Sequence, residues 1–218
     1  MDGAELLQYV DHTLLKVDAT WEQVQALCDE ALLYKTASVC ISPCHVARAA
    51  AYLGGKVKVC TVIGFPSGCS STAVKVYETA DAVQNGADEI DMVINVGQLK
   101  AGNTEYVLNE MRQVRRACPG KILKVIIEAC LLTEAEKLTM CRLVTEAGAD
   151  FIKTSTGFST GGATFDDVAL LKANVGPGVQ VKAAGGISSL EDARKFLELG
   201  ATRLGTSRIV KLLSARKE

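Results

Sequence analysis

Short apolar runs alternate with helix-forming segments about eight times along this chain, and nothing else in the sequence restricts its fold as much. The runs span Tyr9 to Leu15, Ala37 to Ser42, Lys56 to Ile63, Asp88 to Asn95, Lys121 to Ile127, Asp150 to Thr154, Val179 to Ala184 and Thr202 to Thr206. Runs this short read as strands, and strands apolar along most of their length need cover on both faces. Helices supply that cover. Thr20 with Gln23 and Thr133 with Glu136 have capping-box spacing, and they open helices running to about Tyr34 and Ala147. Further helices are expected over His45 to Leu53, about Ser71 to Asn85, Thr104 to Ala117, Thr164 to Ala173, from Ser188 with Glu191, and from the eighth strand to about Ala215.

Strands linked by helices lie parallel. About eight such units in 218 residues predict a single-domain (β/α)8 TIM barrel over residues 1–218, near the lower size limit of that fold. An open doubly wound sheet is the alternative. It usually carries a glycine-rich loop after its first strand, whereas Asp11-His-Thr-Leu-Leu15 has no glycine. A repeat favours closure. Gly86-Ala-Asp88, Gly148-Ala-Asp150 and Gly200-Ala-Thr202 each stand between a helix and a strand, about two units apart. At the same offset after each glycine stand Asp91, Lys153 and Gly205. Alternate strands of a barrel fill common interior layers, so these three positions are expected to share one.

Composition excludes some functions. A formal net charge of −1 gives no electrostatic case for a nucleic-acid partner or an anionic membrane. No apolar run approaches the roughly 18 residues of a membrane span, and Met1-Asp2-Gly3-Ala4-Glu5 lacks an apolar signal core. Eight cysteines without a CxxC pair read as reduced thiols of a cytoplasmic protein. Cys40, Cys44 and His45 have no matching second half of a zinc site, so neither a metal nor another cofactor is expected.

Chemistry concentrates in Phe151-Ile-Lys-Thr-Ser-Thr-Gly157. Lys153 lies inside an apolar strand, where an ammonium loses its hydration. Lys182, in Val179-Gln-Val-Lys-Ala183, occupies the neighbouring strand. Two inward lysines repel, and repulsion and desolvation both favour loss of a proton. A free lysine amine adds to an aldehyde or ketone, and the resulting iminium accepts the electrons of a breaking carbon–carbon bond. Asp91, in Glu89-Ile-Asp-Met-Val-Ile-Asn95, is the candidate proton carrier. Glu89 and Lys124 are candidates for a deeper, paired layer. Asp11 is a candidate contact for substrate hydroxyls, or a cap or core acid, and Thr13 on the same strand is placed behind the site. Gly185-Gly-Ile-Ser188 and Gly205-Thr-Ser-Arg208 follow strands seven and eight, where barrels commonly hold phosphate. A non-catalytic phosphosugar-binding barrel and other lysine aldolases, such as a transaldolase or a keto-deoxy-phosphogluconate aldolase, remain open on this reading.

Asp11-His-Thr-Leu-Leu15, Thr61-Val-Ile-Gly-Phe-Pro-Ser-Gly68, the Glu89–Asn95 strand, Lys124-Val-Ile-Ile-Glu128, Phe151-Ile-Lys-Thr-Ser-Thr-Gly-Phe158 and Val181-Lys-Ala-Ala-Gly-Gly-Ile187 together closely resemble the deoxyribose-phosphate aldolase family. The resemblance runs from Asp11 to Ser207. It implies a metal-free class I aldolase that reversibly cleaves 2-deoxy-D-ribose 5-phosphate to acetaldehyde and D-glyceraldehyde 3-phosphate, in deoxyribose phosphate catabolism. It further implies that Lys153 is the Schiff-base lysine, Lys182 its proton-transfer partner and Asp91 the acid/base carboxylate. Gly157, Gly185, Gly186, Gly205 and Ser207 resemble the phosphate-binding positions. Some members carry a lysine after the Thr-Ser-Thr-Gly turn; Phe158 stands there in this chain, and Arg208 is expected to replace the cation. For assembly, a homodimer or a homotetramer is expected, with no choice between them.

Overall fold

In the computed structural model, which describes residues 3–214, eight parallel strands close into a barrel in chain order. They are β1 (Val10–Leu14), β2 (Ser38–Ile41), β3 (Lys58–Ile63), β4 (Glu89–Val93), β5 (Ile122–Ile126), β6 (Phe151–Lys153), β7 (Gln180–Ala184) and β8 (Ala201–Thr206). The helices are α1 (Gly3–Leu7), α2 (Trp21–Tyr34), α3 (Val46–Leu53), α4 (Thr72–Gln84), α5 (Val96–Lys100), α6 (Thr104–Ala117), α7 (Glu134–Glu146), α8 (Phe165–Asn174), α9 (Leu190–Glu198) and α10 (Ile209–Ser214). Every expected strand and helix forms within a residue or two of its expected ends. Ala215, the expected end of the last helix, lies outside the described residues.

Two helices are additional, α1 and α5, and both are too short to carry an apolar period. Local chemistry makes α5: the Asn95 side chain accepts a hydrogen bond from the Gln98 N–H at 3.1 Å. One start is displaced. Ser189, not Ser188, caps α9, its hydroxyl accepting from the Asp192 N–H at 2.9 Å. The repeated glycines serve as expected, with φ of 101° at Gly86, 69° at Gly148 and 101° at Gly200, the left-handed region that ends a helix without a Cβ clash.

Alternation along the strands divides the molecule into two interiors. Outward residues such as Ile90 and Met92 pack with the helices in the main apolar core. Inward residues face the lumen, where Cys40, Cys60 and Val62 form a small apolar cluster, joined by Leu15 and Phe65. Barrel lumens are ordinarily filled by branched aliphatic side chains. This one holds charges instead: Asp11, Glu89, Asp91, Lys124 and Lys182 are all fully buried. Register brings them together, with Asp91 opposite Lys124, Lys153 opposite Lys182 and Lys182 opposite Arg203.

Candidate active site

The lumen charges form one connected cluster. Asp91 Oδ2 accepts from both Lys153 Nζ and Lys182 Nζ, each at 2.7 Å, and Asp91 Oδ1 accepts from Lys124 Nζ at 2.8 Å. Lys124 also reaches Glu89 at 2.6 Å, and Lys182 meets Asp11. Arg203 closes the floor, contacting Asp11 and holding Glu89 Oε2 at 2.9 Å. Ser38 donates its hydroxyl to Asp11 at 2.7 Å. Four cations thus face three carboxylates. A buried charge survives only when paired this closely, and truncating one partner strands the others.

The pairing determines the charge states. Burial opposes ionisation of Asp91, but Lys124, Lys153 and Lys182 outweigh it and hold the carboxyl well below the usual range. Burial likewise works against Asp11, and Lys182, Lys124 and Arg203 hold it low. For Lys182 burial disfavours the ammonium, yet Asp11 and Asp91 raise it above the ordinary lysine value. Lys124 is raised in the same way, chiefly by Asp91. This revises the sequence-based expectation of two ammonium groups in open opposition. A carboxylate oxygen sits between Lys153 and Lys182, and Lys182 is a stable cation rather than a depressed one.

Above the floor opens a cavity of about 320 Å³ with Lys153 at its base. Gly157, Gly185 and Gly186 line it with φ of 84°, 81° and 76°, a backbone that side chains rarely adopt. A Cβ on Gly185 would stand 3.1 Å from the Gly162 Cα, so this wall is built from backbone approaching backbone. Gly205 lines the same wall, where a Cβ would meet Ala184 Cβ at 2.9 Å and Lys182 Cε at 3.2 Å. Its missing side chain therefore makes room for the lysine stem. Ser207 and Arg208 complete this side, exposed at the rim.

Most expected site residues converge here, with three adjustments. Asp11 is wholly buried beneath the cavity and spent on Lys182, Arg203 and Ser38, so it does not face a substrate hydroxyl. Thr13, placed behind the site by sequence, lines the cavity, because two residues along a strand return to the same face. Lys124 is not confined to a separate Glu89 layer; it joins Glu89 to Asp91. Sequence reasoning missed Arg203 and Lys16. Arg203 is two residues before Gly205 and shares its inward face, a signal that alternation contained. Lys16 follows β1 at the cavity rim. Cys60 Sγ lies 3.2 Å from Asp91 Oδ1, and Cys40, Cys60 and Asp91 are close enough to hold a metal ion, as are Asp11, Cys60 and Glu89. In both groups the carboxylates are already engaged by lysine or arginine. His45 instead points its Nε2 at the Ala19 carbonyl, 3.3 Å away.

Known proteins resemble this chain in sequence and in fold. A deoxyribose-phosphate aldolase of Streptococcus agalactiae is 57% identical over 217 residues, covering 100% of this chain and 97% of the relative. A solved structure from Coccidioides immitis, described as a candidate deoxyribose-phosphate aldolase, superposes with a TM-score of 0.96 at 42% identity, over 100% of this chain and 88% of that one. The deoxyribose phosphate aldolase of Aeropyrum pernix, described as a tetramer, gives 0.88 at 34% identity, over 100% and 93%. The profile of the DeoC/LacD family aldolases matches residues 5–207. With its barrel, its lysine-carboxylate floor and this similarity along nearly its whole length, the chain belongs to the DeoC/LacD family of aldolases.

Proposed function

We propose that this chain is a class I aldolase that reversibly cleaves 2-deoxy-D-ribose 5-phosphate to acetaldehyde and D-glyceraldehyde 3-phosphate through an imine on Lys153. One observation carries the reading: Lys153, at the base of the cavity, shares a carboxylate oxygen with Lys182. The cluster holds one cation more than carboxylates. Lys124 contacts three carboxylates and Lys182 two, whereas Lys153 contacts Asp91 alone and reaches the cavity. This contact pattern and its access to the cavity support Lys153 as the attacking amine.

The steps follow from that placement. The free amine adds to the C1 aldehyde of the open-chain sugar. Water leaves, Asp91 passing protons between Lys153 and Lys182, and an iminium forms. The C3 hydroxyl loses its proton as the C2–C3 bond breaks, and the electron pair moves into the C1 iminium to give a C1–C2 enamine. Glyceraldehyde 3-phosphate departs. The enamine is protonated and the imine hydrolysed, releasing acetaldehyde and restoring Lys153. The glycine wall with Ser207, Lys16 and Arg208 receives the phosphate, backbone N–H groups and cations meeting its oxygens. Retention of activity in EDTA is expected.

Incubation with acetaldehyde and borohydride, followed by peptide mass spectrometry, tests the reading. A reduced two-carbon adduct is expected on Lys153. An unmodified Lys153 in protein that cleaves the sugar would reject the imine. A cytoplasmic homodimer or homotetramer is proposed for the assembly, and sedimentation of the purified chain distinguishes the two.

A further inference from the structure

Glu128 occupies a backbone conformation that a glycine would adopt without strain. Its φ of 51° and ψ of 61° are left-handed, and Lys35 is the other non-glycine residue with positive φ among the described residues. Lys35 is an ordinary helix end, closing α2. Glu128 is different. It lies just past β5 at the mouth of the barrel and is 4% exposed. A strained, buried, non-glycine position needs a gain from its side chain.

The gain is visible in its contacts. Glu128 Oε1 accepts from the Thr156 N–H at 3.2 Å, and Oε2 accepts from the Thr156 hydroxyl at 2.5 Å. The Thr156 hydroxyl oxygen in turn accepts from the Phe158 N–H at 3.0 Å. On either side of Glu128 the backbone is tied to the β6 segment: Ile127 N–H donates to the Lys153 carbonyl at 3.0 Å and Ala129 N–H to the Thr154 carbonyl at 2.8 Å. The left-handed residue between these two bonds turns its carboxylate onto the loop that follows β6. That loop carries Thr156, Gly157 and Phe158, all lining the cavity, directly after Lys153.

We infer that Glu128 is a positioning residue that sets the distance between the amine of Lys153 and the phosphate-binding wall. Its two carboxylate oxygens are spent on Thr156, so they hold the loop rather than repel an incoming phosphate. The inference rests on the reading of Lys153 as the imine lysine and Gly157 as part of the phosphate wall. It assigns Glu128 to selectivity for the phosphorylated sugar, and not to the bond-breaking steps.

The test compares Glu128→Ala, Glu128→Gly and Glu128→Gln on 2-deoxyribose 5-phosphate and on unphosphorylated 2-deoxyribose. Glu128→Ala is expected to raise KM for the phosphorylated sugar about tenfold or more, with less than about a threefold change in kcat/KM on the free sugar. Glu128→Gly relieves the backbone but removes the carboxylate. It should match the alanine variant in KM while melting at a higher temperature. Glu128→Gln keeps one acceptor and should fall between. Should the alanine variant fail to fold, the glycine variant carries the comparison. Equal losses on the two sugars would overturn the inference, as would a glycine variant with wild-type selectivity. Borohydride trapping on wild-type Lys153, run alongside, separates its failure from failure of the imine reading: without that adduct the aldolase mechanism falls first.

Discussion

At the scale of single residues, burial turns ordinary side chains into chemical ones. Lys182 and Lys153 hang on one oxygen of Asp91, and Lys182 has Asp11 as a second partner; buried lysines keep such places only when paired. The same reasoning applies at the rim, where solvent weakens each charge and placement matters more than pairing. Arg208 lines the cavity on the side proposed for the phosphate, exposed, and makes no ion pair among the described residues. Arg208→Ala should raise KM for 2-deoxyribose 5-phosphate about tenfold, the size expected for losing a charge-assisted hydrogen bond. The effect on unphosphorylated deoxyribose should stay under about twofold. Steady-state kinetics on the two sugars decides it, and equal effects would remove Arg208 from the phosphate site.

At the scale of elements, the helices hold the strand ends that aim these residues. Lys75 on α4 and Glu110 on α6 form an ion pair at 2.9 Å, both side chains fully buried outside the barrel. Lys75 also donates to the Val93 carbonyl at 2.8 Å, and Glu110 accepts from the Asn95 N–H at 3.3 Å. The pair therefore fastens the C-terminal end of β4, two residues beyond Asp91. Burial lowers Lys75 and raises Glu110, so each resists ionisation except for the other. Lys75→Met should destabilise by about 3–5 kcal/mol, by stranding Glu110. Lys75→Met combined with Glu110→Leu should recover much of that loss, because no charge then remains buried. Urea denaturation of the two variants tests this; a double variant as unstable as the single would show that packing, not charge, dominates. Neither residue stood out in the sequence. A lysine and a glutamate on amphipathic helices read as surface until the helices are placed against each other. Element boundaries were more legible. The capping boxes at Thr20 and Thr133 lie where their spacing puts them, since a cap is made by neighbours in the chain.

At the scale of the whole molecule, the charged lumen links stability to pH. Asp11 and Asp91 are held below the ordinary carboxylate value. Their contribution is present above about pH 4, the unfolded value, and is lost as pH falls toward and through the folded values. Lys124, Lys182 and Arg203 are held above their ordinary values. The lysine contribution is complete below about pH 10 and is lost as pH rises through the folded values. The cluster should thus add a constant increment to stability from about pH 5 to 9, with losses at both extremes. Denaturation midpoints of the wild type and of Arg203→Met across that range measure it. The difference between the two proteins should be level in the middle, and a difference that varied steeply near neutrality would contradict the paired state of the cluster. The strand–helix alternation, the left-handed glycines between helix and strand, and the choice of Lys153, Lys182 and Asp91 as the candidate reactive set all came from the sequence alone. Each depends on period, on residue type or on neighbours along the chain. Which oxygen each lysine meets, that Asp11 and Asp91 favour the charged form of Lys182, that Asp11 is sealed under the floor, that Arg203 joins the floor, that Lys16 lines the cavity and that Glu128 bonds to Thr156 were decided only by the tertiary structure. Those facts depend on the register of eight strands closing on one another, which brings residues from opposite ends of the chain within a hydrogen bond.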